Sequence, residues 1–205
     1  MPPNPQKTLK EMKQDIILAG VGGQGILSIA TVIGSAALEQ GLYLKQAEVH
    51  GMSQRGGDVQ SNLRISSTPV HSDLIPRGGA DMIVSLEPME ALRYVPYLSK
   101  EGWIITNTVP FVNIPNYPAQ EAIEAELAKY PRVIALDVDS IARQILSPRS
   151  ANMVLLGAAA AAMKVLDPDK LRDGIRRVFS RKGEEIVEAN IKAFDAGLSY
   201  SQNSK

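Results

Sequence analysis

The sequence predicts an α/β fold: a mostly parallel sheet with helices on both faces and a helical C-terminal third. Three observations carry this expectation. Short apolar runs alternate with segments of helical periodicity through the first two thirds of the chain. A glycine cluster stands where the first apolar run gives way to the first helical pattern. Beyond residue 150 the apolar spacing is helical throughout.

Taken in order, Ile16-Ile17-Leu18-Ala19 is a continuous apolar run that stops at glycine, as a buried parallel strand does. Ile26, Ile29, Ala30, Ile33 and Ala37 then repeat at helical spacing, and Gly41 supplies the stop. Leu42 to Val49 reads as extended. Val59, Ser61, Leu63 and Ile65 alternate with Gln60, Asn62 and Arg64, which suits a half-exposed strand, and a hairpin insertion is expected near 59–71. Met82 to Leu86, Trp103 to Thr106 and Val133 to Leu136 are further strands. Helices are expected over Pro88 to Leu98 and Ala119 to Tyr130, the latter ending before Pro131. In the last third, Ala151 to Leu166 is alanine-rich, and Asp167-Pro168 is an N-cap followed by proline at the first helical position. The arrangement is Rossmann-like. Residues 1–13 read as a flexible N-terminal segment, 14–198 as one domain and 199–205 as a flexible tail.

Composition narrows the chemistry. The 205 residues are 44% hydrophobic and 21% charged, enough to bury a full core. Twenty-two basic side chains balance twenty-two acidic ones, so the electrostatic footprint of a nucleic-acid binder is missing. With no cysteine, the chain cannot form disulfides, thiolate zinc sites or cysteine-ligated iron–sulfur clusters. No protein-held metal site is expected from two histidines outside an H-x-x-x-H pattern. No apolar run reaches the roughly 20 residues that span a bilayer. The expectation is a cytoplasmic protein.

Two segments are candidates for chemistry. Gly20-Val21-Gly22-Gly23-Gln24-Gly25 satisfies G-x-G-x-x-G between a strand and a helix, where backbone N–H groups meet the positive end of the helix. No Lys-Ser or Lys-Thr follows, so it is not a Walker A loop. Glu48, 23 positions past Gly25, lies about where a dinucleotide enzyme places a ribose-binding carboxylate. The second segment, Glu48 to Gly57, packs Glu48, His50, Ser53, Gln54 and Arg55 among three glycines. That density of polar groups points to a ligand or subunit contact beside the first glycine turn. Arg55 suits a phosphate or carboxylate, and His50 either moves a proton or is a hydrogen-bonded member of a structured loop. Glu87 and Glu90 read as acids at a helix start, Asp137 and Asp139 as capping or turn residues. Arg172, Arg176, Arg177, Arg181 and Lys182 read as a solvated helix face.

These stretches resemble the gamma-type catalytic domain of the 2-oxoacid:ferredoxin oxidoreductases, including the pyruvate/ketoisovalerate enzymes. The residues that carry the likeness are Gly20 to Gly25, Glu48 to Gly57, Ala80-Asp81 with Leu86 to Leu92, and Asn152 to Ala158. The resemblance runs from about Asp15 to Gly197, and the second segment is similar to the indolepyruvate branch. The resemblance implies oxidative decarboxylation of a 2-oxoacid, acyl transfer to coenzyme A and electrons passed singly to ferredoxin. It places thiamine diphosphate, magnesium and iron–sulfur clusters on a large partner subunit, in keeping with the missing cysteines. It implies that Gly20, Gly22, Gly23, Gln24 and Gly25 form an anion-binding turn, with coenzyme A phosphates as one candidate anion. Glu48 and Ser53 join that cofactor-binding set, while His50, Gln54 and Arg55 face the partner's active site. A homodimer is compatible with the chain in isolation.

Two other readings stay open on the residues alone. One is a self-contained NAD- or FAD-dependent oxidoreductase built on the G-x-G-x-x-G turn. The other is a non-catalytic assembly module whose glycine loops shape an interface.

Overall fold

The apolar run at 16–19 lies within one of the two central strands of a six-stranded sheet. The computed structural model describes residues 12–50, 56–112 and 114–203. Strand β1 (Lys13–Val21) is followed by helix α1 (Ile26–Glu39), then by β2 (Tyr43–His50) and β3 (Asp58–Ser66). Next come β4 (Ala80–Ser85), α2 (Pro88–Arg93), β5 (Leu98–Asn107), α3 (Gln120–Leu127) and β6 (Val133–Leu136). Four helices complete the chain: α4 (Val138–Gln144), α5 (Ala151–Ala160), α6 (Pro168–Phe179) and α7 (Glu184–Asn203). The sheet order is β2-β3-β1-β4-β5-β6. The α/β class, the strand–helix alternation and the helical last third stand as expected.

The hairpin lies elsewhere than expected. Its arms are β2 and β3, paired antiparallel from Tyr43↔Ser66 to His50↔Val59, rather than two strands within 59–71. Strand β3 also pairs antiparallel with β1, so it separates β1 from β2. The remaining neighbours, β1–β4, β4–β5 and β5–β6, are parallel. Alternating polarity along 59–65 signals a strand but says nothing of its neighbours, which is why the sequence misplaced the hairpin. With β1 and β2 on either side, Ser61, Asn62, Leu63 and Ile65 are all buried rather than half-exposed.

Alternation of side chains across the strands divides the core in two. Ile16, Leu18, Leu63, Ile65, Met82, Val84 and Ile105 pack beneath α1 and the C-terminal helices. Ile17, Ala19, Ile83 and Ile104 pack on the other face, against Ala91 and Tyr94 and against Ile123 and Leu127 of α3. Helix α5 is apolar all round, and Met153 to Ala160 are buried between the sheet and α7. Gly157 and Gly197 let these two helices touch backbone to backbone. A Cβ on Gly157 would lie 1.9 Å from the Phe194 carbonyl oxygen, and one on Gly197 the same distance from that of Val154.

Local signals act as read. Gly41 adopts φ 68 just past α1, and its N–H donates to the Leu38 carbonyl at 3.0 Å. The Asp167 carboxylate accepts from the Asp169 N–H at 2.8 Å with Pro168 at the first helical position. Among the described residues, no helix is long and apolar enough to cross a membrane.

Candidate functional site

Helix α1 covers one face of the sheet while α2 and α3 cover the other, so the chain changes faces between β1 and β4. In an open α/β sheet the crevice at the carboxyl ends of two such strands is where ligands bind. A cleft of about 810 Å³ opens there. That size falls within the roughly 300–1,000 Å³ of small-molecule sites. Its floor is Gly23, Gln24, Gly25 and Ser28 after β1, Leu86 after β4, Asn107 at the end of β5, and Val138 and Asp139 after β6. Its walls come from 146–152 and from Phe179, Lys182, Glu185, Ile186, Ala189 and Asn190.

The glycine turn is shaped by its own side chains. Gly23 and Gly25 hold φ 101 and φ 87, a region costly for other residues. The Gln24 Oε1 accepts from the Val21 N–H at 2.7 Å, and its Nε2 donates to the Leu86 carbonyl at 3.1 Å. Gln24 thus ties the β1 turn to the β4 turn, leaving anion contact to backbone groups. The Asn152 side chain donates to the Gly25 carbonyl at 3.1 Å, which brings the start of α5 beside the start of α1.

These two helix starts differ from the others. The first turns of α2, α4 and α6 are capped by Glu87, Asp137 and Asp167 and carry the acids Glu90, Asp139 and Asp169. Neither α1 nor α5 has a side-chain cap or an acid in its first turn. Both positive ends lie along the cleft, where an anion would meet two helix dipoles. Arg149 and Lys182 add cationic side chains, and neither has an ion pair among the described residues. The Lys182 ammonium sits 5.2 Å from the centre of the Phe179 ring. Asp139 and Glu185 set a limit on the positive field. Leu146, with φ 59 and 90% exposed, and Ile186, 41% exposed, give the rim an apolar lip.

The two sequence motifs meet as expected at their bases. The Gly22 N–H donates to the Gly57 carbonyl at 2.9 Å, and Val21 pairs with Asp58. Ser53, Gln54 and Arg55 lie outside the described residues, and of His50 the structure describes only the backbone, as the last residue of β2.

Glu48 stands where the ribose reading does not work. It pairs with Ser61, which in turn pairs with Leu18, so the whole of β3 separates it from β1. Two strand spacings amount to about 9.6 Å, against the single spacing of about 4.8 Å that puts a ribose carboxylate beside the glycine turn. Its Oε1 accepts instead from Gln46, within β2.

Other expectations resolve individually. Asp137 caps α4, accepting from the Ser140 N–H at 2.8 Å and hydroxyl at 2.6 Å, and the Ser140 bonds hold its carboxyl below the usual range. Among the described residues no group of His, Asp and Glu could hold a metal ion. Glu87 and Glu90 do begin a helix, but both are buried. Glu90 pairs with Arg93 at 2.8 Å, and burial beside Glu90 and Asp58 pushes the Tyr94 phenol up to about 12. Of the basic cluster, Arg172, Arg176 and Arg177 pair with Asp195, Asp173 and Glu39, as a solvated face does. Arg181 and Lys182 have no ion pair among the described residues, and Lys182, just before Gly183 (φ 97), lines the cleft. Sequence reasoning missed Arg149 and Leu146 altogether. The signal available was Ser147-Pro148 followed by Ser150, which marks a loop feeding a helix.

The family model "Pyruvate ferredoxin/flavodoxin oxidoreductase" matches residues 15–200. The indolepyruvate oxidoreductase subunit IorB of Archaeoglobus fulgidus is 37% identical over 93% of this chain and 96% of its own length. The pyruvate/ketoisovalerate oxidoreductases common subunit gamma of Thermococcus kodakarensis is 28% identical over 91% of this chain and 98% of its own. Among solved structures, a 2-oxoglutarate:ferredoxin oxidoreductase from Magnetococcus marinus, with 2-oxoglutarate, coenzyme A and succinyl-CoA bound, superposes with a TM-score of 0.72. That match is 22% identical and covers 93% of this chain but 31% of the longer one, so it speaks to the fold. With a family match across nearly its whole length and a full-length relative at 37% identity, the chain belongs to the pyruvate ferredoxin/flavodoxin oxidoreductase family.

Proposed function

We propose that the chain is the cluster-free subunit of a 2-oxoacid:ferredoxin oxidoreductase of the indolepyruvate branch. The assembled enzyme converts an aryl 2-oxoacid and coenzyme A to acyl-CoA and carbon dioxide, with electrons leaving to ferredoxin. The observation that carries this reading is the cleft: two uncapped helix starts, Arg149 and Lys182 converge on one concave site at the sheet's switch point. Those groups suit the phosphates of coenzyme A, and the lip of Leu146 and Ile186 suits an apolar part of the same ligand. The higher identity to an indolepyruvate subunit than to a pyruvate/ketoisovalerate one favours the aryl substrate.

Iron–sulfur clusters do not fit this chain, which has no cysteine to ligate them. Thiamine diphosphate with its magnesium is assigned to the large partner subunit, where it supplies the chemistry at the keto carbon. What this chain contributes is electrostatic and positional. The N–H groups of Gly23 and Gly25 and the two cations hold an anion, Gln24 keeps the turn closed, and the Glu48–Gly57 segment, whose Gly57 is bonded to Gly22, is assigned to contact with the partner.

The rival dinucleotide enzyme is tested on the purified chain. Titration with NADH and FAD is expected to give no saturable response, because β3 separates Glu48 from the glycine turn. Binding of either at micromolar concentration overturns the subunit reading.

A further inference from the structure

The segment 108–119 joins β5 to α3 at the carboxyl edge of the sheet and contains no charged residue. Its apolar side chains face outward: Val109 is 41% exposed, Phe111 44% and Val112 68%, with Ile114 beyond them at 38%. Clustered exposure of this kind marks a surface that is covered in the working molecule.

The strip is held rigidly for a loop. Glu87, 1% exposed at the start of α2, accepts from the Phe111 N–H at 3.2 Å and from the Tyr117 hydroxyl, while its other oxygen caps the Glu90 N–H at 2.8 Å. Burial and the bond to Glu87 push the Tyr117 phenol above its ordinary value, so it remains a donor. Asn107 brackets Val109, accepting from its N–H at 3.3 Å and donating to its carbonyl at 3.4 Å. A buried carboxylate and a buried amide thus hold an apolar ridge out to solvent. Loops that serve only as connections have no need of this.

We propose that the ridge Val109–Phe111–Val112 docks the large cluster-bearing subunit of the oxidoreductase, seating in an apolar recess of that partner. The inference rests on the subunit reading above and adds to it a place of contact. Three features select that occupant. The ridge and the cleft share Asn107, so whatever covers one lies beside the other. An uncharged strip centred on an aromatic side chain has the composition of the core of a permanent protein interface. A membrane-seeking loop would carry lysine or arginine beside its apolar tip, whereas the nearest charged residues along the chain are Glu101 and Glu121 and the carboxylate bonded to the loop is the buried Glu87.

The full-length chain is co-expressed with its large subunit without oxygen, as wild type, as the double variant F111D/V112D, as V112K alone, and as L74D. Leu74 is 59% exposed but belongs to the segment before β4, at the opposite edge of the sheet. Wild type and L74D are expected to co-purify with the large subunit. F111D/V112D is expected to lose at least tenfold in affinity and V112K somewhat less, both melting within a few degrees of wild type. Wild-type affinity in both ridge variants overturns the proposal. So does ridge-dependent binding of the isolated chain to phosphatidylglycerol vesicles, or ridge-dependent self-association, where the complex with the large subunit stays intact. A wild-type chain that finds no large subunit removes the subunit reading itself, and the ridge assignment falls with it.

Discussion

Gly157→Ala is expected to destabilise the protein by about 3 kcal/mol, at the upper end of ordinary overpacking. For a chain of this length each kcal/mol moves the midpoint by roughly 2–4 °C, so the melting temperature should fall by about 6–12 °C. The physical reason is the partner atom. A new Cβ would stand 1.9 Å from the Phe194 carbonyl oxygen, which is helix backbone and has no rotamer to escape into. Helices α5 and α7 must separate, and the separation opens space beside Phe194, Leu198 and the inner face of α5. Gly197→Ala meets the Val154 carbonyl at the same distance and should behave alike. The two substitutions force apart the same pair of helices, so the double variant is expected to cost less than the sum of the singles. Calorimetry on the three variants checks this. A change of under 1 °C in each would mean that the helices are not in backbone contact.

The largest functional effect is expected at Arg149 and Lys182. In the assembled enzyme, alanine at either should raise the KM for coenzyme A about tenfold, equal to about 1.4 kcal/mol of binding. The kcat and the KM for the 2-oxoacid should move little, because both side chains lie on the walls of the cleft and act on binding. The double variant should lose about a hundredfold if the sites act independently. Both cations are exposed, so the effect should shrink as ionic strength rises. Arg149→Lys should recover part of the loss, since an ammonium offers the charge without the planar fork. A fall in kcat at unchanged KM would show that these residues act in chemistry or assembly instead.

Much of the fold is written locally. The apolar run at 16–19, the glycines after it, the stop at Gly41 and the cap at Asp167 each fix one element from a few adjacent residues. Strand pairing is not written that way. Val59 to Ile65 shows that a strand exists, yet its place between β2 and β1 depends on residues nearly fifty positions away. That non-local pairing also decides what Glu48 can do. At the sequence level Glu48 satisfies the spacing of a dinucleotide site, and the inserted strand removes it from reach.

The candidate site divides in the same manner. The glycine turn was legible because φ values of 87 and 101 require glycine. Arg149 and Lys182 were not, because nothing in their immediate surroundings distinguishes a cation facing a cleft from one facing water. Leu146 at φ 59 has no sequence signature at all, since leucine ordinarily avoids that region. Gln24 and Glu87 share a different lesson. Both read as groups that could act on a ligand or cap a helix, and in the folded chain each is used to hold two loops together.

The central claim, that this chain completes a 2-oxoacid oxidoreductase whose redox centres lie elsewhere, is tested most directly by reconstitution. The purified chain is mixed without oxygen with its large subunit and assayed for reduction of a viologen dye with indolepyruvate, other 2-oxoacids and coenzyme A. The account predicts no turnover from this chain alone and coenzyme A-dependent turnover from the mixture, fastest with an aryl 2-oxoacid. Full activity of the large subunit without this chain, or a mixture indifferent to coenzyme A, would contradict it.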